Sequence, residues 1–126
     1  MKKIGNNIFI LDCYNANPSS MSASVKSFSE MNFENKIAVL GDMAELGKSS
    51  SNEHREIIQL VKSLPLQKII FCGNNFYEWK EADEKFIFFE SLNETKKYFA
   101  EENFTDCAFL LKASRTMKLE NLIAEN

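Results

Sequence analysis

Glycine and proline are scarce in this chain, with four glycines and two prolines in 126 residues, and histidine and tryptophan each occur once. The glycines stand apart at Gly5, Gly41, Gly47 and Gly73. They form neither a G-x-x-x-x-G-K-[ST] phosphate loop nor a G-x-G-x-x-G fingerprint, the two common ways of bringing backbone N–H groups against a polyphosphate. Nothing in the chain can wrap a triphosphate. There is no G-x-S-x-G elbow, and a single histidine, His54, without a nucleophile pattern around it does not make a hydrolase. Cys13, Cys72 and Cys107 are odd in number, widely spaced and free of any Cys-x-x-Cys pair. They read as reduced thiols of a cytosolic protein, and no structural metal is expected. No apolar run approaches the ~20 residues that span a bilayer. The start, MKKIGNNIFILDCYNANP, has too short an apolar stretch and no cleavage site for export, so a cytoplasmic location is expected. Fifteen basic residues stand against eighteen acidic ones with no arginine-rich or lysine-rich tract. Neither a nucleic-acid nor a membrane partner is expected.

What the chain does have is enough apolar material, 44% of its residues, to fill the core of one domain, expected over residues 1–126. Apolar runs of strand length recur: Ile8 to Leu11, Ile37 to Leu40, Ile69 to Cys72, Phe86 to Phe89 and Ala108 to Leu111. Each is apolar on successive residues, as a strand covered on both faces must be. Between them helical spacing appears in Met21, Val25, Phe28 and Met31, in Ile57, Ile58, Val61 and Leu64, and in Leu92, Thr95 and Phe99. Asn17 with Pro18 reads as a helix start, and Ser50-x-x-Glu53 and Ser91-x-x-Glu94 each match a capping box. NNFYEWK is expected to make one or two helical turns, and Met117 to Ile123 a last helix. The alternation predicts an α/β fold, a Rossmann-like three-layer sandwich with a mostly parallel sheet of five or six strands and helices on both faces.

In such sheets ligands bind outside the carboxyl ends of the strands. The first run is followed by Asp12-Cys13-Tyr14-Asn15-Ala16-Asn17-Pro18, the second by Gly41-Asp42-Met43-Ala44-Glu45-Leu46-Gly47 and the fifth by Lys112-Ala113-Ser114-Arg115. An amide-rich loop that opens a helix offers fixed donors and acceptors, and in Asn17 capping and ligand contact can coexist. Lys112, Ser114 and Arg115 are a suitable cradle for a carboxylate or phosphate. Asp42 with Glu45 is weak evidence for a metal site, since loop carboxylates near helix starts are common for stability alone. His54 is expected in the first turn of the second helix, as a proton shuttle or as a solvated or hydrogen-bonded bystander.

DCYNANPSSM, LGDMAELGKSSSNEH and KASRTMKLE, in this order, resemble the carboxy-terminal domain of the Mur ligases, over essentially the whole chain. Within that family the first two motifs resemble the branch that adds D-alanyl-D-alanine to UDP-N-acetylmuramoyl-tripeptide. The resemblance implies a three-domain, ATP-dependent amide ligase of peptidoglycan synthesis. In it an amino-terminal domain holds the UDP-muramoyl end, and a central domain carries the phosphate loop and most of the contacts to ATP and Mg. The substrate carboxylate is phosphorylated and the dipeptide amine attacks it. By position, Asp12, Tyr14, Asn15 and Asn17 would line the nucleotide side. Asp42 would border the cleft, and Lys112, Ser114 and Arg115 would approach the dipeptide; none is a proton-transfer residue. Met1 to Lys3 would then be a start made by cutting a longer chain, and the fragment alone is expected to be inactive. Two departures stand out: the family's doubled aspartate is Leu11-Asp12 here, and its glycine in the last motif is Ala113. An alanine there is expected to narrow the backbone geometry. The alternative is a free-standing flavodoxin-like or receiver-like module using the same crevice.

Overall fold

The five apolar runs all become strands, in a computed structural model that describes residues 1–13 and 16–123. They are β2 (Asn7–Asp12), β3 (Lys36–Gly41), β4 (Lys68–Cys72), β5 (Phe86–Phe89) and β6 (Ala108–Lys112). A sixth, β1 (Lys2–Ile4), precedes them, and the sheet order is β1-β2-β6-β3-β4-β5. β1 pairs antiparallel with β2, while β2–β6, β6–β3, β3–β4 and β4–β5 are all parallel. The apolar pattern misses β1 because Lys2-Lys3-Ile4 is a polar edge strand. The turn that returns it to β2 uses Gly5 at φ +59°, a left-handed value that a two-residue hairpin loop requires.

Chain direction explains which helix covers which face. From β2 to β5 the chain steps across the sheet one way through α1 (Pro18–Ser29), α2 (Ser50–Val61) and α3 (Asn74–Tyr77). From β5 it returns to β6 through α4 (Leu92–Glu102). Right-handed crossovers in opposite directions must lie on opposite faces. Accordingly Met21, Val25 and Phe28 of α1, Ile57, Ile58 and Val61 of α2 and Phe76 of α3 share one core with Ala38, Leu40, Ile69, Phe71 and Leu110. The alternate residues Ile37, Val39, Ile70, Cys72, Phe109 and Leu111 form the second core, with Phe9, under Leu92, Tyr98 and Phe99 of α4. No helix among the described residues is long and apolar enough to cross a membrane.

The helix ends agree with the sequence in part. Asn17 caps α1: its Oδ1 accepts the Ser20 N–H at 2.9 Å, and Ser20 Oγ accepts the Asn17 N–H at 3.0 Å. Such a cap contributes about 1 kcal/mol. At α4, Ser91 Oγ accepts the Glu94 N–H at 3.3 Å. The box expected at Ser50 does not form, because a 3-10 turn over Gly47–Ser49 runs straight into α2 and Ser50 is already helical. Met31 lies beyond the end of α1 and is 37% exposed, outside the helical stripe. The expected last helix is instead two 3-10 segments, Arg115–Met117 and Leu119–Ile123, split by Lys118 in the left-handed conformation at φ +52°. Leu119 and Leu122 still reach the second core, so packing and not helix propensity fixes this end.

Candidate functional site at the carboxyl edge of the sheet

β6 lies between β2 and β3, so the three loops that carry the polar motifs adjoin. After β2 and β3 the chain leaves over the face of α1 and α2, whereas after β6 it leaves over the face of α4, where Leu119 and Leu122 are buried. Connections that part to opposite faces open a crevice at the strand ends, the usual place for a ligand in a sheet of this kind.

Asp12 and Lys112 end β2 and β6 directly opposite each other. Lys112 Nζ donates to Asp12 Oδ2 at 2.9 Å, and Ser24 Oγ of α1 donates to the same oxygen at 2.8 Å. The lysine side chain is 3% exposed and the aspartate 42%. Burial pushes the Asp12 carboxyl up, but the hydrogen bonds from Lys112 and Ser24, together with the lysine charge, hold it below its ordinary value. Two residues expected on different sides of the cleft, nucleotide and dipeptide, are therefore one ion pair across the crevice. Ser24, which sequence reasoning passed over, fixes the pair to α1. It shares the helix stripe of Asn17 and Met21, and that spacing was the available signal.

Asn17 stands at the rim, with its Oδ1 spent on the cap. Tyr14 and Asn15 lie outside the described residues. Asp42 is turned toward α3: its Oδ2 accepts the Asn75 N–H at 3.0 Å and its Oδ1 the Phe76 N–H at 3.2 Å. Gly73 makes that possible, since a Cβ there would come within 2.3 Å of Asp42 Cγ. The carboxylate thus serves a helix start that follows it by more than thirty residues, as the separation of 33 to Asn75 shows. Ser114 is buried, its N–H donating to the Asp42 carbonyl at 3.0 Å and its Oγ sharing a hydrogen bond with Thr116 Oγ1 at 3.2 Å. Arg115 is exposed at the start of the 3-10 turn beside it. Ser114 and Asp42 are therefore brought together through backbone, and Asp12 and Lys112 through side chains.

The alanine at 113 sits in a backbone conformation open to any L-residue. Ala113 is not among the residues with positive φ, and it is fully buried against Gly41. A Cβ on Gly41 would lie 2.6 Å from that of Ala113. The missing side chain at 41 makes room for the one at 113.

His54 is also fully buried. Its Nδ1 lies 2.6 Å from the Ser50 carbonyl, its Nε2 accepts the Met43 N–H at 3.0 Å, and its ring meets Phe76 edge-on at 4.7 Å. This is the hydrogen-bonded role anticipated among its options.

Residues 1–115 match the family model described as Mur ligase, glutamate ligase domain. The UDP-N-acetylmuramoyl-tripeptide–D-alanyl-D-alanine ligase of Treponema pallidum is 29% identical over 120 residues, covering 90% of this chain and 26% of that protein. Among solved structures, the UDP-N-acetylmuramoylalanyl-D-glutamyl-2,6-diaminopimelate–D-alanyl-D-alanyl ligase of Acinetobacter baumannii superposes with a TM-score of 0.82 at 30% identity, covering 97% of this chain and 27% of that one. The MurF ligase of Thermotoga maritima, solved in complex with ADP, shares the fold with a TM-score of 0.77 at 24% identity over 97% of this chain and 28% of its own. The chain spans about a quarter of the length of the relatives it matches. With the sheet order, the crevice and a family match that runs from the first residue through Arg115, the chain belongs to the Mur ligase family, as its glutamate ligase domain.

Proposed function

We propose that the chain is the carboxy-terminal domain of a cytoplasmic, ATP-dependent ligase that joins D-alanyl-D-alanine to UDP-N-acetylmuramoyl-tripeptide in peptidoglycan synthesis. Its part is to close over a site assembled with an amino-terminal and a central domain. The observation that carries this reading is convergence. The three stretches that resemble the ligases end β2, β3 and β6, which are neighbours in the sheet. The flavodoxin-like or receiver-like alternative has no support among the relatives described above.

ATP would supply the phosphoryl group that activates the tripeptide carboxylate. The residues present suit only part of that nucleotide. Asp12 is ionised, partly exposed and held through one oxygen by Lys112 and Ser24, leaving the other for a ribose hydroxyl. No group of three His, Cys, Asp or Glu side chains that could hold a metal occurs among the described residues. The phosphates and Mg are assigned to the central domain. Ser114 and exposed Arg115 flank the other side of the crevice, where a guanidinium suits the dipeptide carboxylate. Closure would exclude water from the activated carboxylate and hold the amine against it, which is how a positioning domain contributes to rate.

The test is a chimera in which this chain replaces the matching domain of the Acinetobacter relative. ADP release that depends on both tripeptide and dipeptide, well above that of the relative lacking the domain, is expected. A chimera no more active than the truncated relative overturns the proposal.

A further inference from the structure

We infer that His54 is a positioning residue that registers the loops after β3 and β6 to each other by clamping a single peptide plane. A carbonyl oxygen only accepts, so the 2.6 Å contact between His54 Nδ1 and the Ser50 carbonyl fixes the proton on Nδ1. Nε2 is then a bare acceptor, and it takes the Met43 N–H at 3.0 Å. That N–H belongs to the Asp42–Met43 peptide, whose carbonyl accepts the Ser114 N–H at 3.0 Å. The plane is rigid, so its N–H and C=O turn together. One side is held by α2 through His54 and the other by the loop that carries Ser114 and Arg115.

Rotation of this peptide would break both bonds at once and leave the buried Met43 N–H unpaired. The remaining contacts of Asp42 do not replace the clamp. Its side chain holds α3, with Oδ1 3.9 Å from His54 Nε2 and beyond hydrogen-bond reach, and its own N–H donates to the Cys72 carbonyl on the preceding plane. The imidazole is itself fixed by the edge-on Phe76 ring, so it cannot follow a displaced loop. The hydrogen bonds of His54 run to Met43 and Ser50, so its link to Ser114 passes through the Asp42–Met43 peptide.

The experiment uses nitrogen-15-labelled full chain. The unaltered protein should show a protonated Nδ1, an unprotonated Nε2 and a scalar coupling through the hydrogen bond between Met43 N and His54 Nε2. His54→Leu keeps the volume and removes both bonds. It should speed hydrogen exchange at Met43 and Ser114 by about tenfold or more relative to Val39 and Leu110 in the same sheet. His54→Gln, which can both donate and accept, should return most of the protection at the two amides. An absent coupling or the opposite tautomer overturns the assignment. So does His54→Leu with unaltered exchange at Met43 and Ser114, or His54→Gln with no recovery. Should His54→Leu fail to fold, the coupling in the unaltered chain and the exchange of His54→Gln decide. None of these readouts needs turnover, so failure of the proposed ligase reaction and failure of this assignment are separate results.

Discussion

The Asp12–Lys112 pair joins the ends of β2 and β6 and brings a lysine head under cover. Removing one partner of a fully buried pair costs about 3–5 kcal/mol. Here Asp12 is 42% exposed, so solvent offsets most of that and Asp12→Asn should cost about 1 kcal/mol in urea unfolding at neutral pH. The pH dependence has a definite sign. The folded carboxyl is held below its ordinary value of 3.8, so the stabilisation is present above that pH and is lost as pH falls through the lower folded value. The stability gap between the parent and Asp12→Asn should close on acidification and stay constant from about pH 5 to 8; a constant gap at all pH values would show that the pair carries no linkage. The thiols give a second expectation at this scale. Burial first, then nearby carboxylates, push Cys72 up to about 11, despite the opposing Thr95 bond, and the residue is inaccessible. A disulfide reagent at about pH 8 should label it only after unfolding. Rapid native labelling of Cys72 by mass spectrometry would contradict its place in the core.

Elements show where sequence patterns suffice and where they stop. Runs such as Ile37 to Leu40 were legible because burial on both faces leaves an unbroken apolar signature. Asn17-Pro18 was legible because a cap is a local contact. Ser50-x-x-Glu53 misled because the same motif sits one turn too late when a 3-10 turn precedes the helix. β1 was hidden because three residues, two of them lysine, carry no pattern. The close approach of β3 to the β6 loop is a contact between elements far apart in sequence, and it makes a sharp prediction. Gly41→Ala places two Cβ atoms 2.6 Å apart and should destabilise by about 1–3 kcal/mol. Ala113→Gly in the same molecule removes the clash, so the double variant should recover most of that loss in thermal unfolding. Additive losses would mean that the two positions are not in contact.

On the scale of the whole molecule, the sequence led correctly to the sheet edge but not to what the polar groups do there. Motif residues could be placed at strand ends from pattern alone. That Asp42 serves α3, or that Lys112 is engaged by Asp12, depends on pairings 33 and 100 residues apart, which no local window contains. The same architecture sets the functional prediction. Both cores share one sheet, so the chain has the structural basis to unfold as a unit, with fluorescence of Trp79 and circular dichroism reporting one midpoint. Yet under the proposed function its crevice would offer the nucleotide only the Asp12 carboxylate, and the sequence has no phosphate loop, whereas most of the affinity of enzymes for ATP comes from groups on the polyphosphate and its metal. Loss of those contacts should leave ATP binding weaker than about 100 µM, on a scale where 1 mM corresponds to about −4 kcal/mol. Hydrolysis by the chain alone should be absent, since its sequence has no phosphate loop and its described residues hold no metal-binding group to stabilise charge on a transferring phosphoryl group. Calorimetry with ATP, alongside an ADP-release assay on the same preparation, tests both statements. Micromolar affinity or measurable turnover would mean that the chain carries a nucleotide site of its own and is not one wall of a shared one.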